Sequence, residues 1–209
     1  MIYSAESLAQ RRYGSASRIG QFQTFASTGY IDDNCRSQIA KAELMHLNPD
    51  HYLQTDAGRV FTAERNAAAW ERLYTELSAA LLTRRRPIVM VIGVQGAGKS
   101  TRTKQWALES NEAIYLDSTF ATVDRRSRVL AIAKAAGVSV SAVWVKVDLK
   151  TALRRNRSRP ADEIVPDDAV KNVFKIFEPP SLCEGFCEVV ILDDDFDSAM
   201  PLSDRLVDN

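Results

Sequence analysis

Residues 93–101 read Gly93-Val-Gln95-Gly96-Ala97-Gly98-Lys99-Ser100-Thr101, an ammonium and two hydroxyls directly behind three glycines. Glycines at 93, 96 and 98 let a loop turn several backbone N–H groups toward one point, where side chains would block the approach of an anion. An apolar, β-branched run over 88–92 precedes the loop and a helical-looking segment follows it. Strand, glycine-rich turn and helix N-terminus are the context of a P-loop. There Lys99 suits the β- and γ-phosphates of a nucleoside triphosphate, and the Ser100 hydroxyl suits a magnesium ion. Gln95, Ala97 and Thr101 complete the expected cradle, to which the helix start adds unpaired N–H groups and a positive dipole end.

Transferring a phosphoryl group requires the triphosphate to be held, its charge neutralised and a nucleophile placed in line. Three aspartates end expected strands: Asp117, Asp148 and Asp193. In a parallel α/β sheet strand C-termini gather at the ligand-binding edge, so each could position magnesium or accept a proton. Asp117 is the first choice, because its strand follows the P-loop helix at once and should lie beside the first strand. Arg154, Arg155, Arg157 and Arg159 crowd six positions before Pro160. Four guanidinium groups so close repel one another unless an anion is near, and a planar fork brackets phosphate oxygens well. A solvated helix end is the plainer reading of the same run. Arg155 and Arg159 are the candidates to cover the γ-phosphate.

The elements that must position these groups alternate. Thr62 caps a helix over 63–82, with Ala67, Trp70, Leu73, Tyr74, Leu77 and Leu81 on one face as packing surface. Strands are expected at 88–92, 113–117, 138–147 and 188–192. Helices are expected at 101–110, with Trp106 and Leu108 on the sheet, at 123–136, ending at Gly137, at 150–159, and after Val165-Pro166. Strands alternating with helices predict an α/β fold, a mainly parallel sheet with helices on both faces. Residues 1–86 form an N-terminal, mostly helical extension in this reading, and 87–209 the core. The first 60 residues show no sustained period; one short helix is expected over 35–47.

The chain has 209 residues, 45% hydrophobic and 26% charged, enough for one α/β domain with an appendage. A formal net charge of zero argues against coating long nucleic acid by charge alone. Three cysteines, Cys35, Cys183 and Cys187, form no even framework, and a reduced, cytoplasmic setting is expected. A zinc site from Cys183, Cys187, His46 and His51 has little support from spacing. The opening residues carry no basic, apolar leader pattern, and no run is long enough to span a bilayer, so no membrane partner is expected.

From Gly93 onward the chain resembles P-loop kinases of the polynucleotide-kinase-like group, which includes zeta-toxin-like and seryl-tRNA kinases. Asp117-Ser-Thr119-Phe, followed by Asp124-Arg125-Arg126, is similar to that group's Asp-Asn-Thr-Asn…Arg segment. Ala152-x-x-Arg155-Asn156-x-x-Arg159 resembles its lid motif. Val165-Pro166 through Phe177-Glu178-Pro179, then Glu184-Gly185-Phe186, resembles its C-terminal signature. The resemblance covers residues 87–192, roughly half the chain, and implies an adenylate-kinase-like core, ATP as donor, magnesium and a hydroxyl acceptor. Such kinases usually carry a further strand and helix, with an Asp-x-x-Arg pair whose aspartate is the catalytic base, between the P-loop helix and the Asp-Asn-Thr-Asn segment. Here only Thr101 to Glu112 intervenes, too short for that unit. Asp117 then combines both jobs, or the acceptor site is built differently, with residues 1–60 as the source of replacement surface.

These readings lead to an ATP-dependent kinase acting on a hydroxyl of a nucleic-acid 5′ end, a modified nucleotide, a nucleotide sugar or a small metabolite. The alternatives are a regulatory nucleotide-dependent switch, or a toxin-like kinase held by a partner protein. No Asn-Lys-x-Asp guanine-reading motif follows the loop, which argues against a GTPase.

Overall fold

The computed structural model describes residues 46–56, 58–110 and 112–193. Its central sheet has five parallel strands: β1 (His46–Leu47), β4 (Ile88–Ile92), β5 (Ile114–Asp117), β6 (Val140–Val145) and β7 (Glu188–Leu192), in the spatial order β1-β5-β4-β6-β7. A separate antiparallel hairpin joins β2 (Gln54–Thr55) to β3 (Gly58–Arg59). The helices are α1 (Ala63–Thr83), α2 (Lys99–Glu109), α3 (Val123–Ala136), α4 (Leu149–Arg157) and α5 (Asp167–Ile176). This is the α/β architecture of a P-loop NTPase, as expected. Among the described residues no helix is long and apolar enough to cross a membrane.

All five residues of β4 are buried, because the strand is central and covered on both faces. Ile88, Met90 and Ile92 join Ile114, Leu116, Val140 and Ala142 on one face, under α1 and α3. Val89 and Val91 join Tyr115, Val143 and Val145 on the other, with Trp106 of α2 and Ala152 of α4. On α1 the face that packs carries Trp70, Leu73, Tyr74, Leu77 and Leu81, and the Thr62 side chain caps Arg65 N. Ala67, at the start of that stripe, is exposed, and Ala69 is buried. Leu108 also departs from expectation: it is 67% exposed, since Thr103, Trp106 and Ala107 already form the inward stripe of α2.

Two findings concern the stretch before the P-loop. Most of the helix expected over 35–47 lies outside the described residues, but its last two positions are strand β1, not helix. β1 pairs in parallel with β5, His46 opposite Tyr115 and Leu47 opposite Leu116, and so extends the sheet beyond Asp117. The 3-10 turn Pro49–Leu53 then packs on α1: Leu53 is fully buried and the Tyr52 hydroxyl donates to Glu76 Oε2 at 2.6 Å. A strand and a helix therefore stand beside β5, supplied from ahead of the loop.

The segment after β5 is pinned by Arg126, whose side chain is fully buried. Its Nε and Nη2 donate to the Glu184 carboxylate at 2.6 and 2.9 Å, and Nη1 donates to the Phe120 and Glu178 carbonyls at 2.8 and 2.9 Å. Satisfying every face of a buried guanidinium offsets the cost of removing it from water. Phe120 takes a left-handed φ of 42°, uncommon for a bulky residue. Its ring is held edge-on to Trp70, 5.4 Å between centroids.

Candidate active site

The P-loop leaves β4 at Gly93, and α2 begins at Lys99 behind Gly98, which sits at φ 90°. The decisive glycine is Gly96, at φ +80°, where an added Cβ would lie 2.3 Å from the Ala152 carbonyl oxygen of α4. The loop thus lies directly against the helix that carries the arginines, with no room for a side chain between them. On the other flank Gly93 N donates to Thr119 O at 3.2 Å. The cradle is consequently wedged between the β5 loop and α4.

Lys99 is buried at 7% exposure, and its Nζ donates to the Val94 carbonyl at 2.9 Å. Burial depresses its pKa below the ordinary lysine value; the Asp117 charge opposes that shift and the Arg159 charge adds to it. Lys99 and Arg159 are thus two cations close enough to act on each other.

Asp117 closes β5 at 1% exposure. Its Oδ2 accepts from Asn48 Nδ2 at 3.0 Å and lies 3.4 Å from His46 Nε2, while its Oδ1 is buried without a hydrogen-bond partner. Burial pushes this carboxyl's pKa up; the His46 ring, the Lys99 charge and the Ser100 hydroxyl together outweigh that and hold it below the usual carboxylate value. Asp117 is an anion with one oxygen unspent. Gln95 Oε1, in the loop, is likewise buried without a partner. Buried orphaned oxygens of this kind call for a ligand.

The other strand-end aspartates are not placed for chemistry. Asp148 is exposed and spends Oδ1 capping α4, accepting from Thr151 N at 3.0 Å. Asp193 pairs with Lys146 at 3.3 Å in the open. The arginines divide by face. Arg154 and Arg157 are exposed, and Arg157 is tied to Asp167, its Nε 3.3 Å from Oδ1. Arg155 and Arg159 are half-buried, and Arg159 is the one whose charge reaches Lys99. Asn156 is buried and clamps the segment ahead of α5, with Nδ2 donating to Val165 O at 2.6 Å and Val165 N donating to Oδ1 at 3.2 Å.

Sequence reasoning missed the residues that follow β1. Asn48 reaches Asp117, and its Oδ1 also accepts from Asp50 N at 2.8 Å, turning the chain so that Asp50 stands at the same strand edge. Asp50 is half-exposed, its charge acts on Lys99, and its Oδ2 lies 3.2 Å from Arg59 Nη1. The signal present was Asn48-Pro49-Asp50, a turn-forming triplet behind two apolar-compatible residues. The two histidines meet here as well, their rings 5.2 Å apart, whereas Cys183 and Cys187 are exposed free thiols. Among the described residues no three His, Cys, Asp or Glu side chains gather as a metal site. Magnesium asks for less: the free oxygen of Asp117 and the Ser100 hydroxyl fit an ion that draws its remaining ligands from phosphates and water.

Arg159→Lys is expected to lose nucleotide turnover nearly as fully as Arg159→Ala, on the order of 10²-fold, because an ammonium cannot reproduce the fork. Steady-state rates of the two variants decide it, and a lysine variant at wild-type rate would return Arg159 to the status of a solvated helix end.

Among known families, the model AAA_33, an AAA domain, matches residues 106–180, from within α2 to the turn ahead of β7. The matched stretch contains Asp117, Arg126, Asn156 and both half-buried arginines. Sheet order, loop and family match together describe a nucleotide-binding P-loop protein.

Proposed function

We propose that the protein is an ATP-dependent kinase that transfers the γ-phosphoryl group to a hydroxyl of an acceptor bound against the β1 and β5 loops. The observation that carries this reading is the charge gathered around Lys99: Asp117 and Asp50 act on it with one sign and Arg159 with the other, and Asp117 is buried while Asp50 stays half-exposed.

In this mechanism the loop amides, Lys99 and Arg159 hold the triphosphate and take up the charge on its moving group. Asp117, kept ionised, and Ser100 would hold a magnesium ion, which when bound would supply positive charge to offset that of the phosphates. Asp50 accepts the proton of the acceptor hydroxyl as its oxygen bonds to the γ-phosphorus and the bond to the β,γ-bridging oxygen breaks, releasing ADP. Dividing the two acidic roles follows their environments. A buried carboxylate held anionic suits a cation, and a half-exposed one on a turn suits an incoming hydroxyl. Asn48 links them.

Removing residues 1–60 would strip Leu47 and Leu53 from the core along with any acceptor surface, so point variants are the cleaner probe. A labelled γ-phosphate screen across oligonucleotides, nucleosides, tRNA and nucleotide sugars should find an acceptor. With that acceptor, Asp50→Asn is expected to slow transfer about 10²-fold or more while leaving slow hydrolysis to water in place. ADP formation that never depends on an added hydroxyl compound would point instead to a regulatory switch.

A further inference from the structure

Resting on that reading, a second set of contacts ties the acceptor side to the lid. The hairpin β2–β3 follows Asp50 and ends at Gly58-Arg59. Gly58 holds φ +101° with Asp162 so close that an added Cβ would meet its Oδ2 at 3.1 Å. Arg59 N donates to the same Asp162 Oδ2 at 3.1 Å. The Arg59 side chain, only 18% exposed, then spans two segments: Nη1 lies 3.2 Å from Asp50 Oδ2, and Nη2 lies 3.6 Å from Glu163 Oε1. Its Nε is buried without a partner. Asp162 and Glu163 form the turn Ala161–Glu163, directly after Arg159 and Pro160.

One guanidinium therefore holds the proposed base with one arm and the loop of the arginine lid with the other. We propose that Arg59 is a positioning residue that couples the two halves of the site: closure of Arg159 on the triphosphate pulls the Ala161–Glu163 turn, and Arg59 passes that movement to Asp50. The base then reaches its working place only when the donor is bound, which protects ATP from loss to water. Geometry favours arginine here, because bridging two carboxylates from one buried stem needs a planar fork with several donors. The hairpin itself is held at its base: Arg65 Nε of α1 donates to Val60 O at 3.2 Å, and Val60 N donates to Leu53 O of the preceding turn at 3.1 Å. Movement at Arg59 is thus directed toward Asp50 rather than dissipated along the chain.

The test is backbone hydrogen exchange on the full chain with and without a non-hydrolysable ATP analogue and magnesium. In the unaltered protein the analogue should slow exchange over both 154–163 and 54–60, by roughly tenfold or more. In Arg59→Ala the lid segment should still respond while the hairpin response falls to about twofold or less, and Arg59→Lys should not restore it. Asp162→Asn, which leaves Arg59 in place and removes the far anchor, should give the same separation if Arg59→Ala folds poorly. A hairpin that responds equally in these variants, or never responds although the lid does, overturns the coupling. A lid that fails to respond in the unaltered protein overturns the kinase reading beneath it.

Discussion

Lys99→Ala is expected to abolish phosphoryl transfer, a loss on the order of 10³-fold or greater, without harming the apo fold. The ammonium is buried at the loop, where desolvation depresses its pKa. A lysine whose folded pKa lies below its unfolded value is carried at a cost at neutral pH. Between those two values the unfolded chain binds more protons, so stability rises as pH climbs through that window. Removing the side chain removes this cost, and thermal unfolding of the apo variant should occur at or above the wild-type temperature, with the alkaline gain reduced. Bound phosphates reverse the balance by supplying the missing anion, so the same variant should gain much less stability from ATP than wild type does. Turnover at the wild-type rate would empty the loop assignment of mechanistic meaning.

Asp117→Asn is the second large effect. The amide fills the same volume and its oxygen can still accept from Asn48 Nδ2, so structure is expected to persist. What disappears is the one buried anion between Lys99 and His46, and with it the oxygen left for a cation. Affinity for an ATP analogue should stay within about tenfold, roughly 1.4 kcal/mol, while transfer falls by about 10²–10⁴. Because the folded pKa of Asp117 is held low, its contribution to stability is present above the unfolded carboxylate value and lost as pH falls through the folded one. The variant should therefore lose part of the acid-side decline in stability seen in wild type. Single-turnover transfer and denaturation at several pH values read both effects.

The parts of the molecule that were legible in the sequence are those where local pattern and tertiary role agree. The P-loop is written in glycines whose positive φ is obligatory, and α1 is written in a stripe of large apolar residues that all find the core. Asp117 stood out because a strand ending in an acid directly follows the loop helix, and that strand does pair with β4. The edge strand β1 carried no such mark. Two residues cannot show a period, and their strand exists through pairing with β5 rather than through propensity. Asn48, Asp50 and Arg59 were hidden for the same reason: each acts through a partner distant in sequence. Asp148 misled in the opposite sense, since an acid after a strand is equally the cap of the next helix. Leu108 is apolar, yet its angular position on α2 points outward.

The sheet's spatial order has a further consequence, in the time domain of folding. Asn48 and Asp117 are 69 residues apart, and the strand beside Asp117 is synthesised well before the loop, α2 and β5 that complete its site. That strand must wait, unpaired, until more than half the chain has been made, and closing so long a loop has to be rewarded by a contact of two residues plus the turn behind it. Docking of 46–59 onto β5 is accordingly the late and cheaply reversed step, after the nucleotide-holding layers have packed. The segment proposed to line the acceptor site should then be the first part to open under mild denaturant, while the P-loop layers stay packed.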